Sequence, residues 1–184
     1  MEPPLNRRQL LVLLAGACTT SAHASVVFYM AAVNSDEVPA LDANARKLGS
    51  VLLESSGNWN LYLDKAWDGL HWILTGAAKY DKANPLSEML RGGSSLATQL
   101  PYGKPKMHSP RQVKAYARRL AAETDSSLRG RYDPAEMDRQ NVYPGDWADD
   151  PEEGFAYLLS AFRMLQSFTV RAAKADKAIL CCWG

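Results

Sequence analysis

The chain is 184 residues long, 47% hydrophobic and 22% charged, the composition of a single globular domain and not of a disordered or fibrous chain. Its 21 Lys and Arg against 20 Asp and Glu leave a net charge of +1, too balanced for a nucleic-acid binder that depends on a basic excess. Three cysteines exclude a disulfide-dense scaffold and a four-cysteine zinc site, and no apolar run reaches the roughly 18–20 residues of a membrane-spanning helix.

Residues 1–24 read as an address and not as part of the fold. Arg7-Arg8 precede an apolar stretch, Leu10 to Cys18, and Ala22-His23-Ala24 offers a small-residue cleavage site. The paired arginines resemble a twin-arginine signal, although Asn6 stands where Ser or Thr is more usual. Cleavage after Ala24 places the protein in the periplasm or outside the cell, as a domain of residues 25–184 with no membrane attachment. A leader that is not processed would leave it cytoplasmic. Of the cysteines, Cys181 and Cys182 then remain. As sequence neighbours they pair poorly, because a disulfide prefers Cα atoms ~5.5 Å apart, so buried free thiols are expected.

Along the domain, Ser25–Val33 is apolar and β-branched at its start, a buried strand. Asn34 with Glu37 spells a capping box, and 42–53 has helical character. Ser55–Asn60 is a polar turn around Gly57. In Leu63–Thr75, the positions Trp67, Leu70, His71 and Leu74 share one helical face, and Gly76 stops the helix. Pro85 opens a short helix that ends at Gly92-Gly93, and 94–108, with Pro101, Gly103 and Pro105, reads as loop or edge strand. Ser109 and Gln112 form a second capping box for a helix reaching about Glu123. A short helix starts at Pro134. The longest runs from Pro151 to about Ala175, with a stripe of Phe155, Leu158, Leu159, Phe162, Leu165 and Phe168. Lys177–Trp183 closes the chain as an apolar strand. Strands at both ends with helices between them fit an α/β layered domain.

Motifs of established chemistry are missing: the chain has no Gly-rich phosphate loop, no H-E-x-x-H, no C-x-x-C and no G-x-S-x-G. With only His71 and His108 after the leader, and no ligand spacing, neither a metal nor a cofactor is expected. His71 on an apolar stripe reads first as a hydrogen-bonded core residue. The sharper alternative makes it a general base oriented by Asp68 or Asp64, although Asp64 is also simply explained as a helix cap. Gly92-Gly93-Ser94-Ser95 reads as a solvent loop.

Charge is segregated along the chain. Lys104, Lys106, Arg111, Lys114, Arg118 and Arg119 follow one another without an acid, and Asp146, Asp149, Asp150, Glu152 and Glu153 without a base. Carboxylates at the first turn of the Pro151 helix oppose the positive end of its dipole. Together with Trp147, the acidic segment also forms a candidate surface for steering a charged protein partner.

Three segments resemble the YfbM-like family, a bacterial domain of unknown function: LDKAWDGLHWILTG at 63–76, NPLSEMLRGG at 84–93 and VYPGDW at 142–147. The resemblance spans Ser25 to Gly184 and implies a three-layer α/β sandwich, a mixed sheet with helices packed on both faces. It supplies no catalytic residue. By analogy with immunity proteins encoded beside secreted toxins, it suggests a non-enzymatic partner of a toxin. Two readings of function follow: an exported binding protein using the acidic segment, or a small hydrolase or ligand-binding domain using His71 with Asp68 or Asp64.

Overall fold

The computed structural model describes residues 25–54 and 57–184. The segment read as a leader, with Arg7, Arg8, Ala22 and Ala24, lies outside the described residues. Five strands form one sheet: β1 (Phe28–Val33), β2 (Asn60–Tyr62), β3 (Ser94–Ser95), β4 (Lys106–His108) and β5 (Ala178–Trp183), in the order β2-β1-β5-β4-β3. β1 and β5 lie side by side along their whole length, Phe28 opposite Trp183 and Val33 opposite Ala178. The two ends of the domain therefore make the middle of its sheet. Every pairing among these strands is antiparallel, in place of the expected mixture. The long connection from β2 to β3 joins strands of the same direction, but these lie at opposite edges of the sheet, so no parallel strands become neighbours.

The eight α-helices among the described residues are α1 (Val38–Asp42), α2 (Ala45–Gly49), α3 (Ala66–Thr75), α4 (Pro85–Arg91), α5 (Pro110–Ala121), α6 (Asp125–Arg131), α7 (Pro134–Arg139) and α8 (Pro151–Lys174). A π-helical turn, Ser50–Glu54, follows α2. Strand alternation divides the core in two. Phe28, Met30, Ile179 and Cys181 face a large core made with α3, α5 and α8, through Leu70, Ile73, Leu120, Leu158 and Leu165. Ala31, Val33, Leu180 and Cys182 face a smaller one with Val38, Leu41, Leu48 and Leu52. Helices thus cover both faces of the sheet, the expected three-layer α/β arrangement.

Local signals explain most boundaries. The Asn34 amide donates to the Glu37 carboxylate at 3.1 Å, and the Ser109 amide to Gln112 Oε1 at 2.9 Å, closing two predicted capping boxes. Pro stands in the first turn of α4, α5, α7 and α8, where a missing N–H costs nothing. Gly76 adopts φ 73° and ends α3.

Helix α3 departs from the amphipathic expectation. Beyond Leu70, His71 and Leu74, it buries Ala66, Asp68, Gly69, Trp72 and Ile73, whereas Trp67 is only half-buried. A helix surrounded by sheet, α4, α6 and α8 has almost no solvent face. Its closest contact is at Gly69, where a Cβ would stand 2.7 Å from Leu158 and 2.8 Å from the Trp147 ring. Of the expected loop or edge strand at 94–108, Ser94-Ser95 forms the exposed edge strand β3, while β4 lies inside the sheet.

Candidate functional site

His71, Asp68 and Asp64 do not come together as a catalytic group. His71 is sealed from solvent at 0% exposure and shares a 2.8 Å hydrogen bond with Ser87 Oγ from α4. Burial pulls its pKa down to about 4, so the ring is neutral at physiological pH. Asp64 precedes α3 with φ 48° and does not cap it. Its carboxylate accepts the hydroxyls of Tyr62 at 3.0 Å and Tyr157 at 3.3 Å. Both tyrosines are pushed up to about 12, mainly by burial.

Asp68 has a different setting. It is 6% exposed on an otherwise apolar helix and so requires partners. The Tyr143 amide donates to its Oδ2 at 3.0 Å, and Arg91 at the end of α4 ion-pairs with its Oδ1. The Arg91 guanidinium lies over the Trp67 ring at 5.5 Å. Trp67 in turn stacks on Tyr143 at 6.0 Å and donates its indole N–H to the Val26 carbonyl at 3.1 Å. Val26 donates its amide to the Tyr143 hydroxyl at 3.0 Å. These ties hold the first residues of the domain, α3, α4 and the loop before α8 against one another. Trp67, Asp68 and Arg91 line a cleft of about 580 Å³ together with Ala78, Lys79, Tyr80, Gln140 and Asn141. The sequence reading found Asp68 but not Arg91. The pair is 23 positions apart in the chain, and no motif joins them.

The acidic segment adjoins this cleft through Asn141, which also lines a second concavity of about 350 Å³ with Asp138, Pro144, Asp146 and Asp149. A third, about 300 Å³, shares Asp146 and Asp149 with it and is also lined by Glu153 and Tyr157. Asp146, Asp149, Asp150, Glu152 and Glu153 are all exposed. Trp147 is not, and this removes it from any docking surface. It is 5% exposed, and its indole donates to the Val142 carbonyl at 2.8 Å. It anchors the loop instead. Asp138 completes the anchor by accepting the amides of Trp147 and Ala148, each at 2.9 Å. Asp150 caps α8 through the Glu153 amide, and Glu152 ion-pairs with Arg129.

The described residues contain no group of three or more His, Cys, Asp or Glu placed to hold a metal ion, and no helix among them is long and apolar enough to cross a membrane. What they define is a small three-layer α/β domain with a polar cleft beside an anchored acidic loop. The chain belongs to the DUF1877 family, a domain of unknown function, which it matches over residues 25–182. Protein YfbM of Escherichia coli K12 is 26% identical over 153 residues, covering 76% of this chain and 91% of that protein. The crystal structure of a protein of unknown function, YfbM from Escherichia coli, has the same fold, with a TM-score of 0.68. It is 22% identical and covers 86% of this chain and 99% of the other. The resemblance seen in the three sequence segments therefore reflects family membership.

Proposed function

We propose that this chain is an exported binding protein that captures a basic protein surface with its acidic segment, in the manner of an immunity protein that occludes a toxin. One observation carries the reading. The exposed carboxylates of Asp146, Asp149, Asp150 and Glu153 sit on a backbone held by the buried Trp147, by Asp138 and by the α8 cap. A loop already held in place loses little conformational freedom on binding. Clustered charge of one sign raises the rate of encounter with an oppositely charged partner. His71, sealed in the core, lacks the solvent access that a general base acting on a substrate requires.

The experiment begins with crosslinking in the native cell to identify the captured protein, followed by measurement of its association rate. Asp146→Lys with Asp149→Lys should slow association most at low ionic strength, and the difference should shrink as salt is added. Indifference of the rate to both replacements and to salt would overturn the reading. Export is read separately, from the mass of protein recovered from the periplasm, which should correspond to a chain starting at Ser25.

A further inference from the structure

We infer that the Trp67–Arg91 cleft is a binding site for a small organic anion, an aromatic carboxylate. Its volume of about 580 Å³ falls within the range of small-molecule pockets. The charge in it is not balanced. The Asp68 carboxylate is 8% exposed and already engaged by Arg91 and by the Tyr143 amide, so an incoming ligand meets little of its negative charge. Arg91 remains 23% exposed. Beyond the ion pair with Asp68, its guanidinium N–H groups meet no acceptor among the described residues, and its Nε is buried without a partner. Lys79 on the wall is exposed and forms no ion pair among the described residues. The cleft thus offers two cations against one carboxylate that is already engaged.

The kind of anion follows from geometry. A guanidinium is a planar fork that suits a carboxylate. This one is held on one side by Asp68 and from below by the Trp67 ring, so it is oriented before anything binds. The Tyr80 ring, which also lines the cleft, is 45% exposed, and its hydroxyl is committed to Glu88. With the hydroxyl committed, the exposed ring offers the cleft an apolar aromatic surface for a second ring. Gln140 and Asn141 complete the lining. A ligand with one carboxylate and one flat apolar body uses all of these groups. A bare phosphate uses only the cations.

The test is a titration of the full-length chain with benzoate, acetate and inorganic phosphate, followed by the indole signal of Trp67 and the Nε–H signal of Arg91 in nitrogen–proton spectra. Benzoate should give saturable shifts at both positions, with a dissociation constant on the order of 1 mM. Acetate and phosphate should bind at least about fivefold more weakly, since each lacks the ring. Lys79→Ala and Tyr80→Ala, both at exposed positions, should keep the wild-type melting temperature and weaken benzoate binding roughly three- to tenfold each. Arg91→Lys, which keeps the charge and loses the fork, should weaken it further. Shifts that rise linearly without saturation would overturn the inference. So would phosphate binding as tightly as benzoate, or benzoate affinity unchanged in both Lys79→Ala and Tyr80→Ala.

Discussion

Ser87 Oγ stands 2.8 Å from His71 Nε2, and both side chains are fully excluded from solvent. Ser87 also accepts the Asp81 amide at 2.9 Å, so one hydroxyl ties α3, α4 and the intervening loop together. The arrangement accommodates a neutral imidazole. Burial pulls His71 to about 4, and His108, equally enclosed between Tyr116 and Cys181, to about 4 as well.

Acid should therefore destabilise the fold well before its carboxylates titrate. Well above pH 6.5 both histidines are neutral in the folded and unfolded chains, and they contribute no pH dependence. Below 6.5 the unfolded chain takes up protons that the folded one refuses until about pH 4, so stability falls as pH falls. Urea unfolding between pH 7.5 and 5 should show a slope that grows towards two protons. In His71→Gln, about half of that slope should vanish. A stability that stays flat across this window would contradict the neutral core assignment.

Gly69→Ala should destabilise the protein even though alanine is the better helix former by about 1 kcal/mol. The added methyl meets Leu158 and the Trp147 ring at 2.7–2.9 Å, and both of these side chains are buried. Overpacking of this kind costs roughly 1–3 kcal/mol. Equilibrium urea unfolding measures the net change, and a more stable variant would show that the α3–α8 contact yields easily.

Asp138→Ala should loosen the acidic loop without unfolding the domain. The replacement removes the acceptor of the part-buried Trp147 amide and of the exposed Ala148 amide, at a cost of about 1 kcal/mol. Amide hydrogen exchange at these two positions should accelerate far more than at β1 or β5. Uniform acceleration across the sheet would mean that Asp138 supports the whole fold and not the loop.

Cys181 and Cys182 should resist alkylation in the native protein. Both are buried, and burial pushes their thiols up to about 12 and about 11, so little thiolate exists at pH 8. Peptide mapping after iodoacetamide treatment should find both sites unlabelled under native conditions and both labelled in urea. Rapid native labelling of either would place it at an accessible surface.

Local chemistry was legible wherever a residue acts on its near neighbours. The capping boxes at Asn34 and Ser109, the prolines that open α4, α5, α7 and α8, and the stop at Gly76 were all read from spacing. The box that starts α6 went unread: Thr124 pairs with Ser127, where the usual signature has Glu or Gln. β2 went unread, with only its first residue, Asn60, included in a turn, because three residues, Asn60–Tyr62, carry too little periodicity. β4 looked like an edge because Gly103 and Pro105 precede it, yet it lies between β3 and β5.

The amino-acid sequence by itself determined the family, the terminal strands, the long α8 and the two charge runs, since each rests on composition or on contacts a few residues apart. Only the tertiary structure decided that β1 and β5 meet at the centre of an antiparallel sheet. It also decided that α3 is enclosed on nearly every side, that Trp147 points inward, and that Asp68 finds Arg91 and Tyr143. A buried carboxylate must be paired wherever the chain brings a cation and an amide within reach, and that meeting is set by packing across the whole domain, which no local pattern encodes.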